Sequence, residues 1–239
     1  MTAIVKRLGA LGAVAVAVLI AAAPASARIV EVGFVEPAAA ASCPSPCMAI
    51  TRTTGYQIKV GTTERVMRIP ENGRIVAWTI SLGTPSARQK QFFDRGFGGT
   101  ASAGISVLRT QRRPKRTATV VGQSPIVQLE DYFGQTVQFP LEQSIRVRKD
   151  QLVGLTVPTW APALAVGQAQ DNAWRASRPN QPRSGCFDNE TQTAQTTMGR
   201  AATYRCLYRT ARLTYSATLI TDPVPTAPPE TGAEAQPGA

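Results

Sequence analysis

A period of two in the placement of apolar side chains most constrains what this chain can fold into. From Arg74 to Leu82, Ile75, Ala77, Thr79 and Ser81 alternate with Val76, Trp78, Ile80 and Leu82. The segment from Ala211 to Ile220 alternates in the same way. Because a strand turns successive side chains to opposite faces, both segments are predicted to be strands with one buried face. No amphipathic helical pattern is present, and helix is predicted only as single turns, for example around Ser86 to Phe93.

Short apolar runs bounded by Gly, Pro and Asn recur between these two segments. A hairpin is predicted from Gly104 to Arg109 and Ala118 to Ser124, joined by the loop Thr110 to Thr117. Further strands are predicted at Tyr56 to Val60, Glu64 to Ile69, Thr136 to Phe139, Ile145 to Val147 and Leu152 to Val157. About nine antiparallel strands at this spacing predict an all-β fold, a single β-sandwich.

The succession GRIVAWTISLG, GISVLR, TVVGQSPIVQ and FPLEQSIRVRKDQLVGLTVP resembles that of secreted jelly-roll proteins of actinobacteria. In that group the first long strand carries an aromatic residue, and two late strands bracket a turn, which Lys149-Asp150 would form here. Gln151 departs from the apolar residue that often follows. The resemblance covers roughly Gly73 to Pro158 and implies a jelly-roll-like sandwich. The group has no assigned chemistry, so no functional residues are carried over.

The N-terminus has the three parts of an export signal. Lys6 and Arg7 precede an uncharged apolar run, and Ala25-Ser26-Ala27 supplies the small residues of a cleavage site. Residues 1–27 are therefore predicted to be a signal peptide cleaved near Ala27, which makes the protein secreted, with no membrane-spanning segment in the mature chain. We further predict a flexible lead-in at 28–42, the sandwich at 43–222 and a disordered Pro-rich tail at 223–239.

Four cysteines lie in the predicted mature chain, at Cys43, Cys47, Cys186 and Cys206. An oxidising destination favours two disulfides, for which three pairings are possible. We favour the local pairing, Cys43 with Cys47 and Cys186 with Cys206. A zinc site is disfavoured because the cysteines provide at most one close pair. No metal and no cofactor is predicted.

The sequence contains no histidine, which removes whole classes of enzyme. Ser-His-Asp and Cys-His sites and the common zinc hydrolase sites all need an imidazole. The formal charge is +11, or about +9 without Lys6 and Arg7, which favours anionic partners. The same arginine excess also arises from a GC-rich genome without any functional cause. No catalytic residue is predicted.

The candidate binding residues fall in two groups. The first is a basic run on the predicted hairpin, which could grip anionic groups; its plain alternative is a solvated hairpin tip. Its members are Arg109, Arg112, Arg113, Lys115 and Arg116. No aromatic residue interrupts this run, which argues against nucleic acid as the partner. The second group is Trp160 and Trp174, predicted to lie on loops where they could stack on sugars or simply pack against the protein.

These features predict a non-enzymatic binding or structural module for an anionic or carbohydrate polymer of the cell envelope. One alternative is a glycan-active hydrolase or lyase that works without histidine, using facing carboxylates or a Tyr with an Arg. The tight acidic groups are Glu130-Asp131 and the pair Asp188 and Glu190. Another alternative is a subunit of a surface assembly, which would expose a contiguous apolar patch. The sequence does not set the oligomeric state.

Overall fold

The alternating segments form fifteen strands and one α-helix in the part of the chain that a computed structural model describes, residues 26–177, 186 and 193–223. In chain order these are β1 (Ile29–Val32), β2 (Ile50–Val60), β3 (Thr63–Glu64), β4 (Gly73–Ser81), α1 (Ala87–Phe97), β5 (Ser102–Thr110), β6 (Thr117–Gln123), β7 (Val127–Gln128), β8 (Thr136–Val147), β9 (Leu152–Ala161), β10 (Leu164–Val166), β11 (Ala173–Ala176), β12 (Ala201–Thr203), β13 (Cys206–Arg209), β14 (Ala211–Leu213) and β15 (Tyr215–Thr221). The predicted all-β class is confirmed. More strands form than predicted, β2, β8 and β9 are longer than the predicted segments, and the strand predicted from Glu64 to Ile69 is wrong beyond Glu64.

The strands pair into antiparallel sheets. The large sheet has nine strands: seven run in the order β12-β6-β5-β9-β2-β11-β13, while β3 pairs with β2 and β7 with β5. The small sheet has the order β1-β15-β4-β8, and β10 pairs with β14. The segment Ala211 to Ile220, predicted as one strand, is divided between β14 and β15. The division falls at Thr214, whose backbone N–H donates to Ala163 O and whose hydroxyl donates to Ser81 O.

The two main sheets are joined through a buried tyrosine. Tyr215 lies on β15 of the small sheet, and its hydroxyl is 3.0 Å from Val153 O and 3.3 Å from Gly55 O in the large sheet. Its side chain is buried, and this burial raises the pKa of the phenol well above its ordinary value. The hydrogen bond ties the sheets together, because the buried hydroxyl of Tyr215 would be costly inside the core without a partner.

An irregularity in β4 decides which of its side chains enter the core. Ile75, Trp78 and Ile80 are all buried, although strict alternation predicted Ile75 on the face opposite Trp78 and Ile80. The pairing of β4 with both neighbouring strands shifts register between Ile75 and Ala77. The extra residue, Val76, reverses the alternation there, as residues in β-bulges do.

A polar layer covers part of the large sheet. The hydroxyl of Thr156 lies 3.1 Å from that of Thr54 and 2.6 Å from that of Ser106, so three neighbouring strands are linked. The backbone N–H of Gln195 donates to the Thr54 hydroxyl at 2.9 Å, and Gln123 Nε2 donates to Gln195 O at 2.7 Å. The segment around Gln195 therefore packs over this face of the sheet through hydrogen bonds.

The helix α1 is longer than the single turn predicted near Ser86 to Phe93. Ser86 caps it in a capping box: its side chain accepts from the backbone of Gln89, and the Gln89 side chain accepts from the backbone of Ser86. The spacing Ser-x-x-Gln is a recognised signal for the start of a helix, and it is the sequence feature that would have predicted α1. Phe93 is the buried residue of the helix and stacks on Trp160 with ring centroids 4.8 Å apart, which fixes α1 against β9.

The segment 28–42, predicted as a flexible lead-in, contains a strand of the small sheet. β1 pairs with β15 over four residues, and Val32 is buried in the core. Arg28 and Thr221 exchange two hydrogen bonds at the end of this pairing. The strand was not predicted because it is short, the segment around it is rich in alanine, and its pairing partner β15 lies near the other end of the chain.

Both predicted disulfides are confirmed. Cys43 joins Cys47, and Cys186 joins Cys206. The first joins cysteines four positions apart, and the second joins cysteines twenty positions apart, from Cys186 to the start of β13. No helix within the described residues has both the length and the apolarity to cross a membrane. The predicted signal peptide and tail lie outside the described residues except for Ser26, Ala27 and Pro223.

Candidate anion-binding surface

The basic run predicted from sequence sits at the tip of the β5–β6 hairpin. The strands pair up to Thr110 and Ala118, and the N–H of Gln111 donates to Thr117 O at 2.8 Å, closing the base of the connection. Arg116 has a φ of 65°, in the left-handed region that tight turns use. We call the exposed cations of this tip the basic hairpin: Arg109, Arg112, Arg113, Lys115 and Arg116.

The charges of the basic hairpin are not compensated by any carboxylate of the described residues. Elsewhere the described residues form ion pairs between Arg28 and Glu71, Arg68 and Asp150, Lys90 and Glu130, and Arg146 and Asp222. Within the same part of the chain, none of the five hairpin cations has a carboxylate within ion-pair distance. Five cations on one tip repel one another, and an anionic partner would relieve that repulsion.

The positive surface continues from the hairpin onto the neighbouring strands. β12 pairs with β6, and the N–H of Tyr204 donates to Arg116 O at 2.7 Å. Arg175 on β11 donates to the backbone carbonyls of Tyr204 and Arg205, at 3.3 and 3.2 Å. Burial lowers the pKa of Arg175, and the nearby charge of Arg116 lowers it further. The sequence pattern does not indicate this extension, because tertiary pairing brings Arg175 close to a hairpin more than fifty residues away.

Two buried tyrosines adjoin these arginines. The rings of Tyr56 and Tyr204 are 5.3 Å apart, and Tyr204 is 1 % exposed. Burial raises the pKa of both phenols, most strongly for Tyr204; Arg175 opposes the rise at Tyr56 without cancelling it. The Tyr204 hydroxyl is enclosed and has no hydrogen-bond partner among the described residues. Protonated, enclosed phenols do not serve as bases near neutral pH, so this Tyr–Arg contact does not favour a lyase.

Trp160 does not lie on a loop, as the surrounding prolines suggested. It is near the end of β9 and is 0 % exposed. Its indole N–H is 2.9 Å from Asp94 Oδ1 and 3.1 Å from Gly99 O. Pro158 is accommodated because the β2–β9 pairing is irregular at that point, so a missing N–H breaks no regular ladder. An indole enclosed in this way has no face for a sugar.

Trp174 is likewise a strand residue, in β11, and is 5 % exposed. Its ring stacks on Tyr208 with centroids 4.4 Å apart. A Cβ at Gly55 would come within 2.9 Å of the indole, so only glycine leaves room there. The predicted loop position is wrong for this tryptophan as well, and its packing is that of a core residue.

Among the described acidic residues, Glu130, Asp94 and Asp131 lie near Lys90, whose pKa is raised by a hydrogen bond to Glu130 and by the charges of all three. The carboxylate of Glu130 binds Lys90. No group of three or more Cys, Asp or Glu side chains able to hold a metal ion occurs among the residues that the structure describes. Asp188 and Glu190 lie outside them.

Comparisons with protein-family models, with curated proteins and with solved structures gave no significant match to this chain.

Proposed function

We propose that this protein is an exported, non-enzymatic binding module whose basic hairpin holds an anionic polymer of the cell envelope. The observation that carries the proposal is the set of five exposed cations, without carboxylate partners among the described residues, on one hairpin tip. Arginine suits this role because its planar guanidinium grips carboxylate, sulfate or phosphate groups with two parallel hydrogen bonds.

Export rests on the sequence of the N-terminus and on the cysteines. The charged start, apolar run and Ala25-Ser26-Ala27 have the order of a cleaved signal. Two disulfides are typical of proteins that mature in an oxidising compartment. Cleavage after Ala27 would leave Arg28 as the first residue, immediately before β1.

A flexible polyanion is the ligand class that a protruding tip fits best. No described residue encloses the tip, which is exposed from Arg109 to Arg116, so it can follow charges along a chain but is not shaped to surround a small molecule. Binding of this kind gains free energy from the counterions that the polymer releases, and it therefore weakens steeply as salt is added.

The test is retention of the protein on immobilised heparin, used as a model polyanion, over a sodium chloride gradient. We expect Arg112→Ala/Arg113→Ala to elute at lower salt and to reduce the slope of log affinity against log salt by about 1 to 2. The matched control is Arg88→Ala/Arg95→Ala, which removes the same charge from two exposed positions of α1. If both double variants lose retention equally, net charge and not the hairpin governs binding, and the proposal fails.

A glycan-active enzyme has less support, because Tyr56 and Tyr204 are buried beside Arg175. A role in a surface assembly would use exposed apolar residues. Ile29 and Ile220 are paired across β1 and β15 and are 75 % and 38 % exposed, and they form a small patch.

A further inference from the structure

Arg212, on β14, is a nearly buried cation without an acidic partner in the described chain. The residue is 8 % exposed. Its Nη1 donates to Pro37 O at 2.7 Å and its Nη2 donates to Val35 O. These bonds fasten the segment after β1 to the sandwich. They use two of the five N–H groups of the guanidinium, and the others have no partner among the described residues.

Two neutral carbonyls do not compensate a buried charge. A cation taken out of water is normally paired with a carboxylate, because its lost hydration is worth several kcal/mol. Glu36 is close enough to raise the pKa of Arg212 slightly against the larger lowering by burial, yet it forms no ion pair with it. The charge of Arg212 is therefore only partly compensated by its described neighbours, and an added anion would interact with it favourably.

Arg212 borders a cleft of about 140 Å³, which is lined by the segment after β1 and by residues of β4, β8, β14 and β15. This volume is several times the roughly 30 Å³ that one water occupies in the liquid. The wall carries five hydroxyl groups, from Thr79, Ser81, Thr136, Thr214 and Ser216. Phe34 stands at the cleft and is 52 % exposed, so its ring is available to a ligand. We call this site the Arg212 cleft.

Two of the five hydroxyl groups already donate, Thr214 to Ser81 O and Ser216 to the Glu31 carboxylate at 3.2 Å. The other three retain hydrogen-bonding capacity. Thr79 accepts from Gln138 at 3.4 Å, which leaves its own proton to donate. The hydroxyls of Ser81 and Thr136 are 2.6 Å apart, so one proton is shared between them and the other is available. Each hydroxyl can donate once and accept twice, and a polyhydroxylated ligand can use both functions.

We propose that the Arg212 cleft binds a single carboxylated sugar residue of the uronic acid class. Arg212 recognises the carboxylate, the Thr79, Ser81 and Thr136 hydroxyls bind sugar hydroxyls, and the Phe34 ring packs on the apolar face of the sugar ring. The site is separate from the basic hairpin and does not rest on the function proposed for it.

Binding is measured by titrating ¹⁵N-labelled protein with sodium glucuronate and following the amide signals of residues around the cleft and the Nε–H signal of Arg212. We expect saturable shifts with glucuronate and no saturation with glucose at the same concentrations. Acetate, which has the carboxylate alone, should bind about tenfold more weakly or less. Equal affinity for acetate and glucuronate would overturn the sugar assignment, and no saturable shift with glucuronate would overturn the site.

Variants separate recognition from the structural role of Arg212. Phe34→Ala and Thr79→Val leave Arg212 and its two carbonyl contacts in place, and each should weaken glucuronate binding about threefold to tenfold. Arg212→Gln should remove it, while Arg74→Gln, at an exposed arginine of β4, the strand that carries Thr79, should not change it. Unchanged affinity in both Phe34→Ala and Thr79→Val would contradict the proposal. Arg112→Ala/Arg113→Ala should bind glucuronate normally, which keeps this test distinct from the heparin test.

Discussion

At the scale of single residues, two buried aromatic side chains connect parts of the fold that have no backbone pairing with each other. Trp160 links β9 to α1 through Phe93 and through the hydrogen bond from its indole to Asp94. Tyr215 links the small sheet to the large one through the Val153 carbonyl. Each combines a large apolar surface with one polar group that has a partner, as buried Trp and Tyr side chains usually do.

Trp160→Ala should lower the free energy of unfolding by about 3 to 5 kcal/mol, because it leaves a cavity between β9 and α1 and removes a hydrogen bond. Phe92→Ala is the control on the same helix, since Phe92 is 65 % exposed, and it should cost under about 0.5 kcal/mol. Urea unfolding followed by circular dichroism measures both. Similar losses in the two variants would show that Trp160 is not a packing residue.

Tyr215 predicts how stability changes at alkaline pH. The pKa of its phenol is raised in the folded protein. Its contribution to the free energy of unfolding is therefore complete below the pKa of the phenol in the unfolded chain, about 10, and is lost as the pH rises above that value. There the unfolded chain releases the phenol proton and the folded chain keeps it. The free energy of unfolding should therefore fall with pH, by up to about 1.4 kcal/mol per unit from this residue.

Tyr215→Phe isolates that effect. The variant should lose about 1 kcal/mol at pH 7, where Val153 O loses its donor, and should show a shallower fall above about pH 10 than the parent protein. Urea titrations at a series of pH values give both quantities. The prediction is wrong if the two proteins lose stability in parallel through the alkaline range.

At the scale of elements, β1 shows how a short strand with a weak sequence pattern becomes part of the core. Its four residues pair with β15, and Val32 contributes a buried side chain at 3 % exposure. The pattern within β1 is too short to predict a strand, since only the partner at the far end of the chain makes it one.

Val32→Ala should lower the free energy of unfolding by about 2 kcal/mol through lost burial. Ile29→Ala, in the same strand but 75 % exposed, should cost less than about 1 kcal/mol. Chemical denaturation distinguishes the two. A small, equal effect at both positions would mean that β1 does not contribute to the stable core in solution.

β4, β5 and β6 lie within one or two residues of the bounds predicted from the sequence. The longer strands were predicted only in part: β8 as two separate strands and β2 only from Tyr56 onward. β10 to β13 have three or four residues each, too few for a period to emerge. The basic hairpin could be found because its cations are adjacent in sequence. The Arg212 cleft could not, since Phe34, Thr79 and Arg212 meet only through tertiary packing.

At the scale of the whole molecule, charge is the dominant feature. The chain has 26 basic and 15 acidic side chains. Exposed like charges repel one another over about 10 Å at 0.1 M ionic strength and over about 3 Å at 1 M. The folded state brings these charges together, and salt should therefore favour it.

The free energy of unfolding should rise by about 1 kcal/mol between 0.1 and 1 M sodium chloride as repulsion is screened. Arg112→Ala/Arg113→Ala should show a smaller rise, because it removes two neighbouring charges while general salting-out affects both proteins equally. Urea unfolding at each salt concentration provides the comparison. A decrease with salt would indicate that attractive ion pairs outweigh the repulsion.

The pairing of β1 with β15 also sets an order of events when the protein is made. Arg28 and Thr221, which bond at the end of this pair, are 193 positions apart. A chain that emerges from its N-terminus, from a ribosome or through a translocation pore, holds Ile29–Val32 without a partner until Tyr215–Thr221 has followed. Because such distant contacts form only after nearly the whole chain is available, the pairing of β1 with β15 completes the small sheet last. Until then β1 has no strand to pair with.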